Sequence, residues 1–67
     1  MFFGGAIMMI SVTVWSFDDG KAYEGVFFAL SHENAIRQAT TYFSEKLNID
    51  KELIIPTYTK EVAVYER

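Results

Sequence analysis

The chain has 67 residues, 51% hydrophobic and 16% aromatic, which bounds it to one small domain with more large apolar side chains than so short an interior can hold. It contains no cysteine and one histidine, so a disulfide framework, a thiolate metal site and a histidine cluster are all excluded, and no cofactor is expected. The net charge of −3 opposes the basic footprint of a nucleic-acid binder, although an acidic surface suits a basic protein partner.

The chain opens on an apolar stretch, residues 1–10, that carries two glycines but no basic leader, and it is shorter than the roughly 18 residues of a membrane span. No membrane association is expected. Residues 1–8 read as an N-terminal extension of uncertain origin and 9–67 as a single α+β binding domain. From Ile10 to Phe17 the residues alternate, with Ile10, Val12 and Val14 on one side and Thr13, Trp15 and Phe17 on the other, which predicts a strand. Asp19-Gly20 then predicts a hairpin turn, because glycine adopts positive φ without steric cost. The return strand spans residues 22–30, with Val26, Phe28 and Leu30 opposite Tyr23, Gly25, Phe27 and Ala29.

Ser31 is suited to cap a helix that starts near His32, with Glu33 in its first turn. Ile36, Ala39, Phe43 and Leu47 recur at helical spacing, joined by Ala35, Tyr42 and the stem of Lys46. Asn34, Arg37, Gln38, Thr41, Ser44 and Glu45 fall toward water. The helix is expected to fade near Asn48. A connection follows over residues 49–56, with room for a short fourth strand near 53–55 before Pro56 interrupts it, and residues 57–66 alternate as a closing strand.

The order ββαβ predicts a three-stranded antiparallel sheet with one helix packed on one face. Val12, Val14, Val26, Phe28, Val62 and Val64 are the apolar partners proposed for the helix. The opposite face would then carry Trp15, Phe17, Tyr23, Phe27 and Tyr65. Such a patch is large for an uncovered surface and rich in the residue types of binding hot spots. The first residues of the chain, Leu53–Ile55, or a symmetric homodimer would cover it equally well.

No catalytic constellation is visible. His32 is the sole near-neutral base and stands at a helix start, and Asp18-Asp19 at a hairpin tip reads as a turn former rather than an acid/base pair. Gly4-Gly5 precedes a strand and lacks the Lys-Ser/Thr of a phosphate cradle. Stacking of single-stranded RNA on the aromatic residues is a minor alternative, since flanking basic residues are sparse. The chain therefore reads as a non-enzymatic binding domain.

The helix segment Gln38-Ala39-Thr40-Thr41-Tyr42-Phe43-Ser44-Glu45 resembles the corresponding helix of the Dmd family, the small antitoxins of T-even-type bacteriophages. A looser likeness extends over residues 10–66: a leading strand with Trp near its end, a short polar turn, a second apolar strand, this helix, and a closing strand of Glu61-Val62 type. The resemblance implies a protein of the infected bacterial cytoplasm that binds a host endoribonuclease toxin of the RNase LS type. It would block RNA cleavage by occlusion, protecting phage messenger RNA, with no catalytic residue and no direct nucleic-acid contact of its own. One position departs from the family pattern, which carries Trp before Ala-Thr-Thr where this chain has Gln38, so the carry-over of a helix anchor is weakened. Trp15, Phe17, Tyr23 and Phe27 are the expected partner contacts from the sheet, and Gln38 and Thr41 those from the helix. An inhibitor of another host machine such as RNA polymerase, similar in strand–strand–helix–strand order alone, and a structural homo-oligomer are the competing readings.

Overall fold

The structure, a computed structural model, describes the backbone of residues 7–65 and the side chains of residues 7–63. Its elements are β1 (Ile7–Ser16), β2 (Lys21–Ala29), α1 (His32–Leu47), a short 3-10 turn (Lys51–Leu53) and β3 (Ile54–Tyr65). The three strands form one antiparallel sheet in the order β2-β1-β3, so the first strand is central and the other two are edges. β1 already begins at Ile7, two residues ahead of the expected domain start at Met9. The remainder of the expected N-terminal extension lies outside the described residues.

The hairpin between β1 and β2 has a four-residue loop, Phe17 to Gly20, closed by the pair Ser16 and Lys21. Gly20 takes φ +68 and donates its N–H to the Ser16 carbonyl at 2.9 Å, a backbone shape that a side chain would strain. Asp19 accepts from the Lys21 N–H at 3.2 Å and from the Tyr23 hydroxyl, which folds its carboxylate back over the turn.

Ser31 caps α1 in extended conformation, its Oγ accepting from the Asn34 N–H at 3.0 Å. At the other end Asn48 adopts the left-handed conformation, φ 56, and its N–H donates to the Ser44 carbonyl, which ends the helix at the expected place. Ser44 Oγ then donates to the Ile49 carbonyl at 2.6 Å and steers the chain into the 3-10 turn. The expected separate strand at 53–55 is not formed. β3 runs without a break from Ile54, through Pro56, to Tyr65. Proline is accommodated because β3 is an edge strand and its register with β1 shifts at Thr13/Val14, where Pro56 and Tyr58 are paired and Thr57 is passed over. A second shift, between Met9 and Ile10, passes over Val62.

The core lies between α1 and one face of the sheet. Ile10, Val12 and Val14 from β1, Ala29 from β2, Ile54 from β3 and Ala35, Ala39 and Phe43 from α1 are buried. Thus Val12 and Val14 face the helix as expected, but Val26 and Phe28 do not. In the hairpin register Ile10 pairs with Phe27, Val12 with Gly25 and Val14 with Tyr23, and directly paired residues share a face. A four-residue loop sets even positions of β1 beside odd positions of β2, and so does a two-residue loop. Setting Val26 and Phe28 on the face of Val12 and Val14 places β2 one residue out, which inverts a whole strand. Tyr23 and Phe27 therefore lie on the helix side, while Val26 is turned outward and is 49% exposed. Val62, passed over at the second register shift, is exposed as well, and the side chains of Val64 and Tyr65 lie outside the described residues.

Candidate protein-interaction surfaces

Two surfaces of different character result. The first is the sheet face that α1 leaves uncovered. Along β1 it carries Met9, Ser11, Thr13 and Trp15. Their pairing partners on β2 are Phe28, Val26, Glu24 and Ala22, and those on β3 are Ala63, Lys60, Tyr58 and Ile55. Polar residues hold its middle: Ser11 Oγ donates to Glu24 Oε2 at 2.7 Å, and Thr57 Oγ1 donates to the Thr13 carbonyl at 3.2 Å. Apolar residues hold its ends and flanks. Trp15 is half-buried between Ala22 and Ile55, and Phe17 from the hairpin loop meets its ring edge-on at a centroid distance of 6.4 Å. Phe17 is itself fixed by its N–H, which donates to the Leu53 carbonyl at 2.9 Å. Tyr58 stands 61% exposed in the edge strand beside them.

The second surface is the flank where α1 meets the outer side of β2. A groove of about 530 Å³ runs there between Phe27 and the helix residues Asn34, Arg37, Gln38, Thr41, Tyr42 and Glu45. A second groove of about 450 Å³ continues it past Tyr23, Gly25 and Lys46. Aromatic rings floor the flank: Phe43 packs on Tyr23 at 5.8 Å, on Phe27 at 6.4 Å and on Tyr42 at 5.0 Å. These rings close over β2 because Gly25 has no side chain. A Cβ there would stand 3.0 Å from Phe27 Cε2 and 3.4 Å from Phe43 Cζ. Gln38 stitches the flank, its Nε2 donating at 2.9 Å both to the Phe28 carbonyl and to Asn34 Oδ1.

The six residues expected to contact a partner are thus divided differently from the expectation. Trp15 and Phe17 stay together at one end of the open face. Tyr23 and Phe27 move to the flank, where Phe27 joins Gln38 and Thr41 in one groove. The open face gains Val26, Ile55 and Tyr58, which the sequence grouping missed; loop parity would have found Val26, whereas Tyr58 depends on a bulge that has no sequence mark.

Electrostatics at the hairpin are local. The Tyr23 hydroxyl holds the Asp19 carboxyl below the usual aspartate range, and that carboxylate in turn pushes the Tyr23 phenol up. His32 joins the start of α1 to β3, its Nδ1 lying 2.8 Å from Thr59 Oγ1. No three His, Cys, Asp or Glu residues converge on a common point among the described residues. In comparisons with known proteins, no family model, curated protein or solved structure matches this chain.

Proposed function

We propose that the chain is a non-catalytic inhibitor that presses its uncovered sheet face against a host endoribonuclease toxin of the RNase LS type and blocks RNA cleavage by occlusion. The observation that carries the docking reading is the open face itself. Among the described residues one helix covers one side of the three-stranded sheet, and the other side presents Trp15, Phe17, Val26, Ile55 and Tyr58 outward, where Tyr and Trp supply rigid, partly apolar contact area. The choice of partner rests on the helix segment from Gln38 to Glu45 and on charge, since a net of −3 favours approach to a groove built to accept RNA.

On this reading Gln38 supports the fold rather than the interface, because its amide already bridges α1 and β2. The test is inhibition of RNA cleavage by a purified RNase LS-type toxin as this protein is titrated in. Loss of cleavage at a stoichiometric ratio is expected, with Tyr58→Ala and Trp15→Ala each weakening inhibition by roughly tenfold or more, the scale of a hot-spot residue. Undiminished cleavage and no complex would remove the toxin as partner. Capture of RNA polymerase from a bacterial lysate would redirect the assignment to the other host machine.

A further inference from the structure

Two opposite charges stand on either flank of the sheet face that α1 leaves uncovered. Glu24 on β2 pairs with Thr13 and Lys60 on β3 pairs with Ser11, so both share that face, one on each side of β1. They lie about 10 Å apart across the sheet and about 7 Å apart along it, and both are exposed. Neither forms an ion pair among the described residues, whose one salt bridge joins Glu33 and Arg37 on α1. Ser11 Oγ fixes the Glu24 carboxylate by donating to its Oε2.

We propose that this face packs against the same face of a second copy, about a two-fold axis that runs along β1. A two-fold in the plane of a face-to-face contact runs either along the strands or across them. Along them, β3 of each copy covers β2 of the other, and Lys60 lies one side-chain repeat from Glu24 of the second copy, in two places by symmetry. With facing sheets roughly 10 Å apart, those Cα atoms stand about 12 Å from each other, within the combined reach of the two side chains. Across the strands, with the axis passing between Ser11 and Thr13, β2 covers β2 and β3 covers β3. Lys60 then meets Lys60 and Glu24 meets Glu24 at the same separation, so the charges select the first arrangement. That axis brings Trp15 against Trp15 of the second copy and covers Phe17, Ile55 and Tyr58 around it. Ser11 and Thr13 on the midline are small enough to let the sheets approach, and the Ser11 hydroxyl stays satisfied by Glu24.

The exposed parts of Phe17, Val26, Ile55, Tyr58, Glu24 and Lys60 amount to roughly 500 Å² per copy, so the contact buries on the order of 1,000 Å² in total. That is the lower limit of a specific interface, and it makes the dimer a dissociable one. The dimer covers the same Trp15, Phe17 and Tyr58 that the toxin reading places against the toxin, so the two contacts exclude each other. The inference rests on Glu24 and Lys60, not on the identity of the partner.

Sedimentation equilibrium of the full chain up to the high micromolar range tests this. The wild type is expected to form dimers. Lys60→Glu replaces two ion pairs with two like-charge contacts and is expected to weaken the dimer about tenfold, and Glu24→Lys to do the same. The double change Glu24→Lys with Lys60→Glu is expected to restore most of the loss, while Arg37→Glu on α1 leaves the dimer unchanged. Circular dichroism of each variant confirms that it is folded. A strictly monomeric wild type overturns the proposal, as does a dimer that Lys60→Glu leaves intact or that the double change weakens further. Dimers that fail to inhibit the toxin would remove the toxin reading alone, whereas a monomer that inhibits it would remove the dimer alone.

Discussion

Replacing Phe43 with alanine removes the ring on which the helix side of the sheet closes. Phe43 is 4% exposed and touches three other rings, those of Tyr23, Phe27 and Tyr42. Truncating a buried phenylalanine costs about 3–5 kcal/mol, and three ring pairs lost at once keep this site from the low end of that range, at about 4 kcal/mol or more. A domain of this length has a total stability on the order of 7 kcal/mol, so more than half would be lost. Tyr42, its neighbour in sequence, is the control. It is 46% exposed, so Tyr42→Ala is expected to cost about 1 kcal/mol. Urea unfolding followed by the fluorescence of the single tryptophan, Trp15, and by circular dichroism measures both. Equal losses for the two variants, or a loss below about 1.5 kcal/mol for Phe43→Ala, would refute the placement of Phe43 at the centre of the core.

Ser31→Ala removes the acceptor for the Asn34 N–H and is expected to lower stability by about 1 kcal/mol, with Ser31→Asp retaining most of it in the same unfolding assay. Ser16 is fully buried, its Oγ meeting no acceptor at full hydrogen-bond geometry among the described residues yet near enough to the Asp19 carboxylate to help lower its pKa, so Ser16→Ala should change the unfolding midpoint little and let the Asp19 carboxyl rise; a loss above about 1 kcal/mol would show that the hydroxyl is fully satisfied. Tyr23→Phe should raise the Asp19 carboxyl toward the ordinary aspartate range in an NMR titration, with the Ser16 hydroxyl and Lys21 still acting to hold it down. Since the folded state lowers the Asp19 pKa and raises that of Tyr23, their bond stabilises the hairpin at neutral pH. That contribution fades as pH falls through the lowered Asp19 value and again as it rises above the ordinary tyrosine value. The wild type should therefore lose its thermal advantage over Tyr23→Phe at both extremes, and a difference independent of pH would count against the bond.

The local elements were legible because their signals are short-range. Ser31 is followed by apolar residues at helical spacing, and Asn48 stops that spacing; helix α1 begins and ends there. Alternation marked β1, and the Gly20 turn marked the hairpin. The face of β2 was legible in principle, because two- and four-residue loops both put Tyr23 and Phe27 with Val12 and Val14. Matching Val26 and Phe28 to the valines of β1 obscured it. Phe27 shows why: a large ring fits beside the helix only because Gly25 leaves space for it to lie across the strand.

Sequence alone settled the ββαβ order, the antiparallel sheet with one helix, and the helix limits, each set by backbone preferences and capping bonds that act within a few residues. Tertiary structure decided that β1 is central, that β3 passes through Pro56 by shifting register, and that Tyr58 rather than Tyr23 faces outward. Those outcomes depend on pairing between residues some forty positions apart, as when Thr57 bonds the Thr13 carbonyl, and no local pattern encodes the register in which such distant strands meet.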